Sequence, residues 1–167
     1  LGGLFYTLAG VWFLRKALLP LFSDLVTAIT LGVIFLVSNV FFFSVWGNDA
    51  PHIYIFTLYA LILYLTVKWY AEPKGLYAIL LGLALGTAVI TRPSEVFILL
   101  VPALWGVWGL KSVRDKLVLI WQRKRDVILI VLFTALAVAP QLIYWKYATG
   151  EWIFNSYDDP QSGFNFS

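Results

Sequence analysis

Cysteine is absent from the chain, and so is methionine. The first absence excludes disulfides, thiolate metal sites and cysteine nucleophiles, and leaves the redox compartment unspecified. The second, with Leu1 as first residue, leads us to expect an internal fragment or a processed chain. A leader of basic, then apolar, then small residues is not visible at the start, so no signal peptide is expected. Charge is scarce: 13% of the 167 residues are charged, while 61% are hydrophobic. Ordinary soluble domains carry about 25% charged and about 45–50% apolar residues. Too little polar surface is available to cover a water-soluble globule, so an integral membrane protein is expected. No nucleic-acid partner is expected.

What is present is a series of apolar runs. Six are read, at roughly Leu1–Leu14, Leu25–Trp46, Ile53–Tyr70, Leu76–Thr91, Val96–Leu110 and Val127–Trp145. A helix crossing the hydrocarbon needs about 20 residues, with a range of about 17–25. The second, third and sixth runs meet this length unaided. The fourth and fifth must borrow residues from their turns, and the first looks truncated. Runs such as LYALILYLTV are apolar on every face, without the alternation of barrel strands. The expected fold class is therefore all-α, a polytopic membrane protein of about six antiparallel transmembrane helices. Residues 1–146 would form that domain, and 147–167 would begin an outer-side loop.

Alternating the sides of the connections distributes the cations unevenly. One face receives Arg15, Lys16, Lys68, Lys74, Lys111, Arg114, Lys116, Arg123, Lys124 and Arg125. The other receives only Arg92 and Lys146. Short loops rich in Lys and Arg stay cytoplasmic, so the Arg92 side is expected to face outward. Trp12, Trp46, Trp69, Trp108 and Trp145 fall at span ends, where indole rings prefer the headgroup region. Trp105 falls inside a span. Lys111–Asp126 places Leu117, Val118, Leu119, Ile120 and Trp121 between basic clusters. That suits a short helix lying in the cytoplasmic interface, or a plain topology anchor.

Arg92 thus stands against the charge bias, in the turn Thr91-Arg92-Pro93-Ser94-Glu95. Pro93 suits the first turn of a helix, and Glu95 is close enough to pair with Arg92. A guanidinium beside a helix start suits an anion, particularly a phosphate. The same two residues could instead pair merely to finish a turn. In the other outer turn, Asp49 and His52 are three apart, and His52 is the sole histidine. They could do acid–base work, hold a metal with further ligands, or form a solvated turn. Asp158-Asp159 in the tail could bind a sugar hydroxyl or a divalent cation, or be solvated charges. Ala78, Gly82 and Gly86 form a small-residue face for close helix contact. Asn39 is expected to bond to a neighbouring helix, and Pro140-Gln141 to kink the sixth span.

The stretch NDAPHIYIFTLYALILYLTVKWYAEPKGLYAILLGLALGTAVITRPSEVFILL resembles the middle of bacterial GT-C membrane glycosyltransferases. It is most similar to the branch related to dolichyl-phosphate-mannose protein mannosyltransferases and lipid A aminoarabinose transferase. The shared pattern is an outer His52 before the Tyr54/Phe56 helix, a basic inner turn at Lys74, a helix with Gly82 and Gly86, and then Arg92-Pro93. PQLIYWKYATGEWIFNSY resembles the segment that follows. The resemblance implies transfer of a sugar from a polyprenyl-phosphate donor to a hydroxyl of a lipid or of a protein or glycan acceptor. The setting would be the bacterial inner membrane, among its lipids, with the active side toward the periplasm or exterior. Arg92, with Glu95, would steady the lipid phosphate, and Asp49 and His52 would be secondary catalytic candidates. The family's principal catalytic Asp lies in the first outer loop, which here would precede Leu1, so the fragment alone is expected to be inactive. Two other classes fit the same residues: a transporter or flippase for a lipid-linked saccharide, and a purely structural membrane subunit.

Overall fold

The computed structural model describes residues 2–46 and 52–153. Among these residues the chain is all-α, without a strand. The α-helices are α1 (Gly2–Leu18), α2 (Asp24–Val37), α3 (Val40–Val45), α4 (His52–Ala71), α5 (Gly75–Thr91), α6 (Leu100–Leu104), α7 (Leu110–Gln122) and α8 (Lys124–Thr149). A 3-10 helix, η1 (Pro93–Leu99), joins α5 to α6. On length and composition, α4 (20 residues) and α8 (26 residues) could each cross a bilayer.

The frame is a row of helices: α1 along α4, α4 along α5, and α5 along α8. Its core joins Ile62 and Leu65 of α4 to Leu81, Ala84, Leu85 and Ala88 of α5, with Ile98 of η1. Glycine sets how closely the helices approach. A Cβ at Gly82 would stand 2.5 Å from the Ile130 carbonyl oxygen of α8. One at Gly86 would stand 2.6 Å from the Ala137 Cβ. The small-residue face read from the sequence is thus the seam against α8. Thr134 Oγ1 lies across that seam and donates to the Gly82 carbonyl at 3.1 Å.

The α1–α4 contact has a seam of its own. Gly3, Thr7, Gly10, Leu14 and Ala17 are the buried residues of α1. They recur every three or four positions, so they share one face. Thr57 of α4 donates to the Tyr6 carbonyl at 2.7 Å across this contact. Interhelical hydrogen bonds of this kind contribute about 0.6 kcal/mol on average inside a bilayer. Thr57→Val, which keeps the shape, is therefore expected to lower stability by about 0.5–1 kcal/mol. A denaturation midpoint in micelles reads this; a loss several times larger would mean that the hydroxyl holds more than this contact.

Several sequence expectations are corrected. The second run, Leu25–Trp46, is not one helix. It breaks where Ser38 takes an extended backbone, φ −89° and ψ 171°. The Ser38 hydroxyl donates to Ile34 O and accepts from Val40 N at 3.3 Å. It thereby offers the backbone an alternative to the helical ladder. Asn39 stands exposed at the start of α3 without a side-chain cap, and among the described residues its side chain bonds to no neighbouring helix. The fifth run, Val96–Leu110, is replaced by η1 and α6, after which residues 105–109 leave the helix. Trp105, expected inside a span, caps the end of α6.

A 3-10 helix rises about 2.0 Å per residue against about 1.5 Å in an α-helix. Seven residues of η1 and five of α6 thus reach about 21 Å rather than about 18 Å. That stretch lets a short segment bond to α4 near both ends, through Glu95 to Tyr59 and through Pro102 to Tyr70. The first run extends to Leu18, and the last runs from Lys124 to Thr149 with Pro140 inside an unbroken helical span. The α4–α5 turn is closed by Lys74 on Glu72 at 2.7 Å. Hydrogen bonding and charge between them lower the Glu72 carboxyl's pKa and raise that of the Lys74 ammonium.

Candidate functional site

Pro93 disfavours the α conformation in the residue before it. Arg92 accordingly takes φ −150° and ψ 123°, ending α5 and starting η1 at one residue. The next turn closes with Glu95 N donating to Arg92 O at 2.9 Å. This brings the Glu95 carboxylate beneath the Arg92 guanidinium, with Nε 4.0 Å from Oε1. The second oxygen of Glu95 accepts from the Tyr59 hydroxyl of α4. Glu95 is mostly covered, its side chain 14% exposed, while that of Arg92 is 44% exposed. Glu95 is thus tied to the frame and Arg92 is only loosely tied to Glu95. Among the described residues, no hydrogen bond engages the terminal nitrogens of Arg92, which leaves its planar pair of donors available to an anion.

Tyr59 was not a sequence candidate. Its partner is 36 residues away, and no local spacing announces such a contact. Its position on α4 is informative. Residues 52, 56, 59 and 63 share one face of a helix. His52 therefore heads the stripe that carries Tyr59, about 10 Å farther along at about 1.5 Å per residue. Along the stripe an apolar groove of about 250 Å³ opens between Leu14, Phe56, Leu63, Ile98 and Val101. Tyr59 lies in its wall and donates to Glu95, which pairs in turn with Arg92.

His52 occupies a separate recess. Its ring lies 4.5 Å from that of Phe43, tilted by 34°. The two rings, with Ser38, Asn39 and Val40, line a cleft of about 470 Å³ at the break between α2 and α3. Arg92 and Glu95 are therefore brought together, and His52 is aligned with them but not in contact. Asp49, Asp158 and Asp159 lie outside the described residues. Among the described residues, no group of three or more acidic, His or Cys side chains could hold a metal ion.

A second polar cluster sits at the opposite end of α4. Trp69 Nε1 donates to Asp126 Oδ2 at 3.0 Å, and Arg123 donates to the Trp69 carbonyl at 3.1 Å. Lys116 of α7 is turned inward and donates to the Tyr70 hydroxyl and to Trp105 O at 2.9 Å. Burial pushes the Lys116 pKa below the ordinary lysine value. Sequence reasoning placed Lys116 among the cations of the cytoplasmic face, in an interfacial helix or topology anchor. Local spacing did not announce its burial, since Val113, Leu117 and Ile120, on the same helical face, are all exposed. Comparison of the chain with known proteins finds no matching family model, no similar curated protein and no similar solved structure.

Proposed function

We propose that this chain is part of a membrane glycosyltransferase that moves a sugar from a polyprenyl-phosphate carrier to an acceptor hydroxyl on the non-cytoplasmic side. The observation that carries the reading is the Arg92–Glu95–Tyr59 cluster, joined through Tyr59 to the wall of the apolar groove. A polyprenyl phosphate is an anion on a long apolar chain, and the cluster links a cation to an apolar trough. In the transfer, the acceptor oxygen attacks the anomeric carbon and loses its proton to a base. The bond from that carbon to the phosphate oxygen breaks, and polyprenyl phosphate leaves. Arg92 neutralises the charge that develops on the leaving phosphate. Glu95, anchored by Tyr59, positions Arg92.

A bilayer setting is supported by α8. This 26-residue helix has no buried residue and presents Ile128, Val131, Leu132, Leu136 and Ile143 outward. Continuous apolar faces of this size are rare on soluble monomers. The recess of the cluster also fits. Glu95 meets α4 at Tyr59, about two turns or about 10 Å from its His52 end, a depth that suits a lipid headgroup.

Sidedness is the first test. The chain has no cysteine, so Ser94→Cys, at an exposed position beside Arg92, gives the described chain a single thiol. An impermeant maleimide is expected to label it in intact cells. Labelling only after lysis would reject the reading. One feature favours a second reading, a transporter or flippase for a lipid-linked saccharide. The break at Ser38 and Asn39 faces the His52 cleft, and transporters use interrupted helices in this way. Vesicles holding the full-length protein separate the two: radiolabelled sugar appears on an acceptor for the first, and only counterflow is seen for the second.

A further inference from the structure

The cluster at the Tyr70 end of α4 encloses a cavity of about 210 Å³ beneath α7. Its deep walls are apolar, formed by Leu85, Leu99 and Ile130, with Val131 at the outer rim. Lys116 lines it near α7 and is 9% exposed. The ammonium donates to the Tyr70 hydroxyl, to Pro102 O at 3.3 Å and to Trp105 O at 2.9 Å. It also lies 4.2 Å from the centre of the Tyr70 ring. Every one of these partners is neutral. Among the described residues no carboxylate comes within 4.0 Å of Lys116. The nearby carboxylate of Asp126 is engaged by Trp69. A buried cation is ordinarily matched by an anion, and here the described residues supply none.

The surroundings narrow the class of anion. Arg123 stacks 5.6 Å from the Trp69 ring at the same end, and Lys124 and Arg125 follow it in the chain. A free phosphate would have no use for a trough of leucine, isoleucine and valine. A peptide would bring backbone groups that these walls cannot satisfy. An amphiphile with an anionic head and an apolar tail matches both parts. We propose that the cavity beneath α7 seats one acyl chain of an anionic phospholipid, whose phosphate serves as counter-ion to Lys116. The proposal rests on the membrane reading above, with this end of α4 in the cytoplasmic leaflet, where anionic lipids and basic segments meet. The phosphate replaces the Tyr70 hydroxyl as an acceptor from Lys116 and fixes α7 against the bundle.

The test uses the full-length protein in discs of phosphatidylcholine containing a minor fraction of phosphatidylglycerol, released into the gas phase for native mass spectrometry. Wild type is expected to retain one phosphatidylglycerol at least tenfold in preference to phosphatidylcholine. Lys116→Met is expected to erase the preference. Ala103→Trp, at an exposed position that borders the cavity, is expected to erase retention of both lipids without touching Lys116. Equal retention of the two lipids by wild type would overturn the proposal, whether or not Lys116→Met folds. So would undiminished retention in Ala103→Trp, or inorganic phosphate alone raising the thermal midpoint as far as phosphatidylglycerol does. Failure to enter the discs at all would overturn this proposal and the membrane reading together. Sugar transfer measured on the same discs reports the proposed activity separately.

Discussion

Adding one methyl group at Gly82 is expected to weaken the bundle by ~2–3 kcal/mol, whereas adding one at Gly32 is expected to strengthen it by about 0.5–1 kcal/mol. The chemical change is the same in both, and both glycines lie inside helices. Helix propensity alone predicts a gain at each, because alanine is favoured over glycine by about 1 kcal/mol in a helix interior. At Gly32 no heavy atom lies within 4 Å of the added Cβ, so propensity acts unopposed. At Gly82 the Cβ would fall 2.5 Å from the Ile130 carbonyl oxygen and 3.0 Å from the Phe133 Cβ. The nearest obstacle is backbone, which cannot swing aside as a side-chain tip can. The helices must separate, and the Thr134 bond to the Gly82 carbonyl is lost with the contact. Gly10 is a milder case, since its nearest atoms belong to the Phe56 ring. Denaturant titration of the two alanine variants in micelles reads the signs directly. A stabilised Gly82→Ala would mean that α5 and α8 do not approach this closely.

The contrast between these glycines also shows what the sequence could and could not convey. Gly82 and Gly86 were legible because a four-residue spacing of small side chains has a single local meaning, one close helix face. Gly3, Thr7 and Gly10 have the same kind of spacing in α1, and they too form a seam. They were harder to read because large residues lie between them, and which of these turn outward, as Phe5 and Leu8 do, is fixed only once the position of α4 is known. The boundary at Arg92 was legible, since Pro93 acts on its neighbour through covalent geometry. The break at Ser38 was not, because serine inside an apolar run can equally turn its hydroxyl back onto the helix, as Thr30 does with Val26 O. Contacts between distant residues lay beyond local spacing altogether. Tyr59 reaches Glu95 and Lys116 reaches Tyr70 across 36 and 46 positions. Periodicity assigns such residues to a face and is silent about what faces them.

Arg92→Gln is expected to lower sugar transfer by about 100-fold in the full-length protein while leaving its thermal midpoint nearly unchanged. The two halves of this expectation have different sources. Arg92 and Glu95 form a loose pair at 4.0 Å whose cationic partner is 44% exposed, and pairs open to solvent contribute about 0–1 kcal/mol to stability. A guanidinium fork on a phosphate is another matter, since each charge-assisted hydrogen bond contributes about 1.5–3 kcal/mol, or about 10–100-fold in rate if formed with the leaving group. Arg92→Lys separates a clamp from a simple charge. Lysine keeps the cation but not the planar pair of donors, so a loss of about tenfold or more is expected from a bidentate site. A residue that only finishes the turn would tolerate lysine with near-normal transfer. Glu95→Gln should fall between them, because the amide can still accept from Tyr59 while the negative charge that holds Arg92 is gone. If Arg92→Gln turns over as fast as wild type with unaltered donor affinity, the guanidinium does not meet the lipid phosphate. The cation linked to the apolar groove through Glu95 and Tyr59 would then need another explanation.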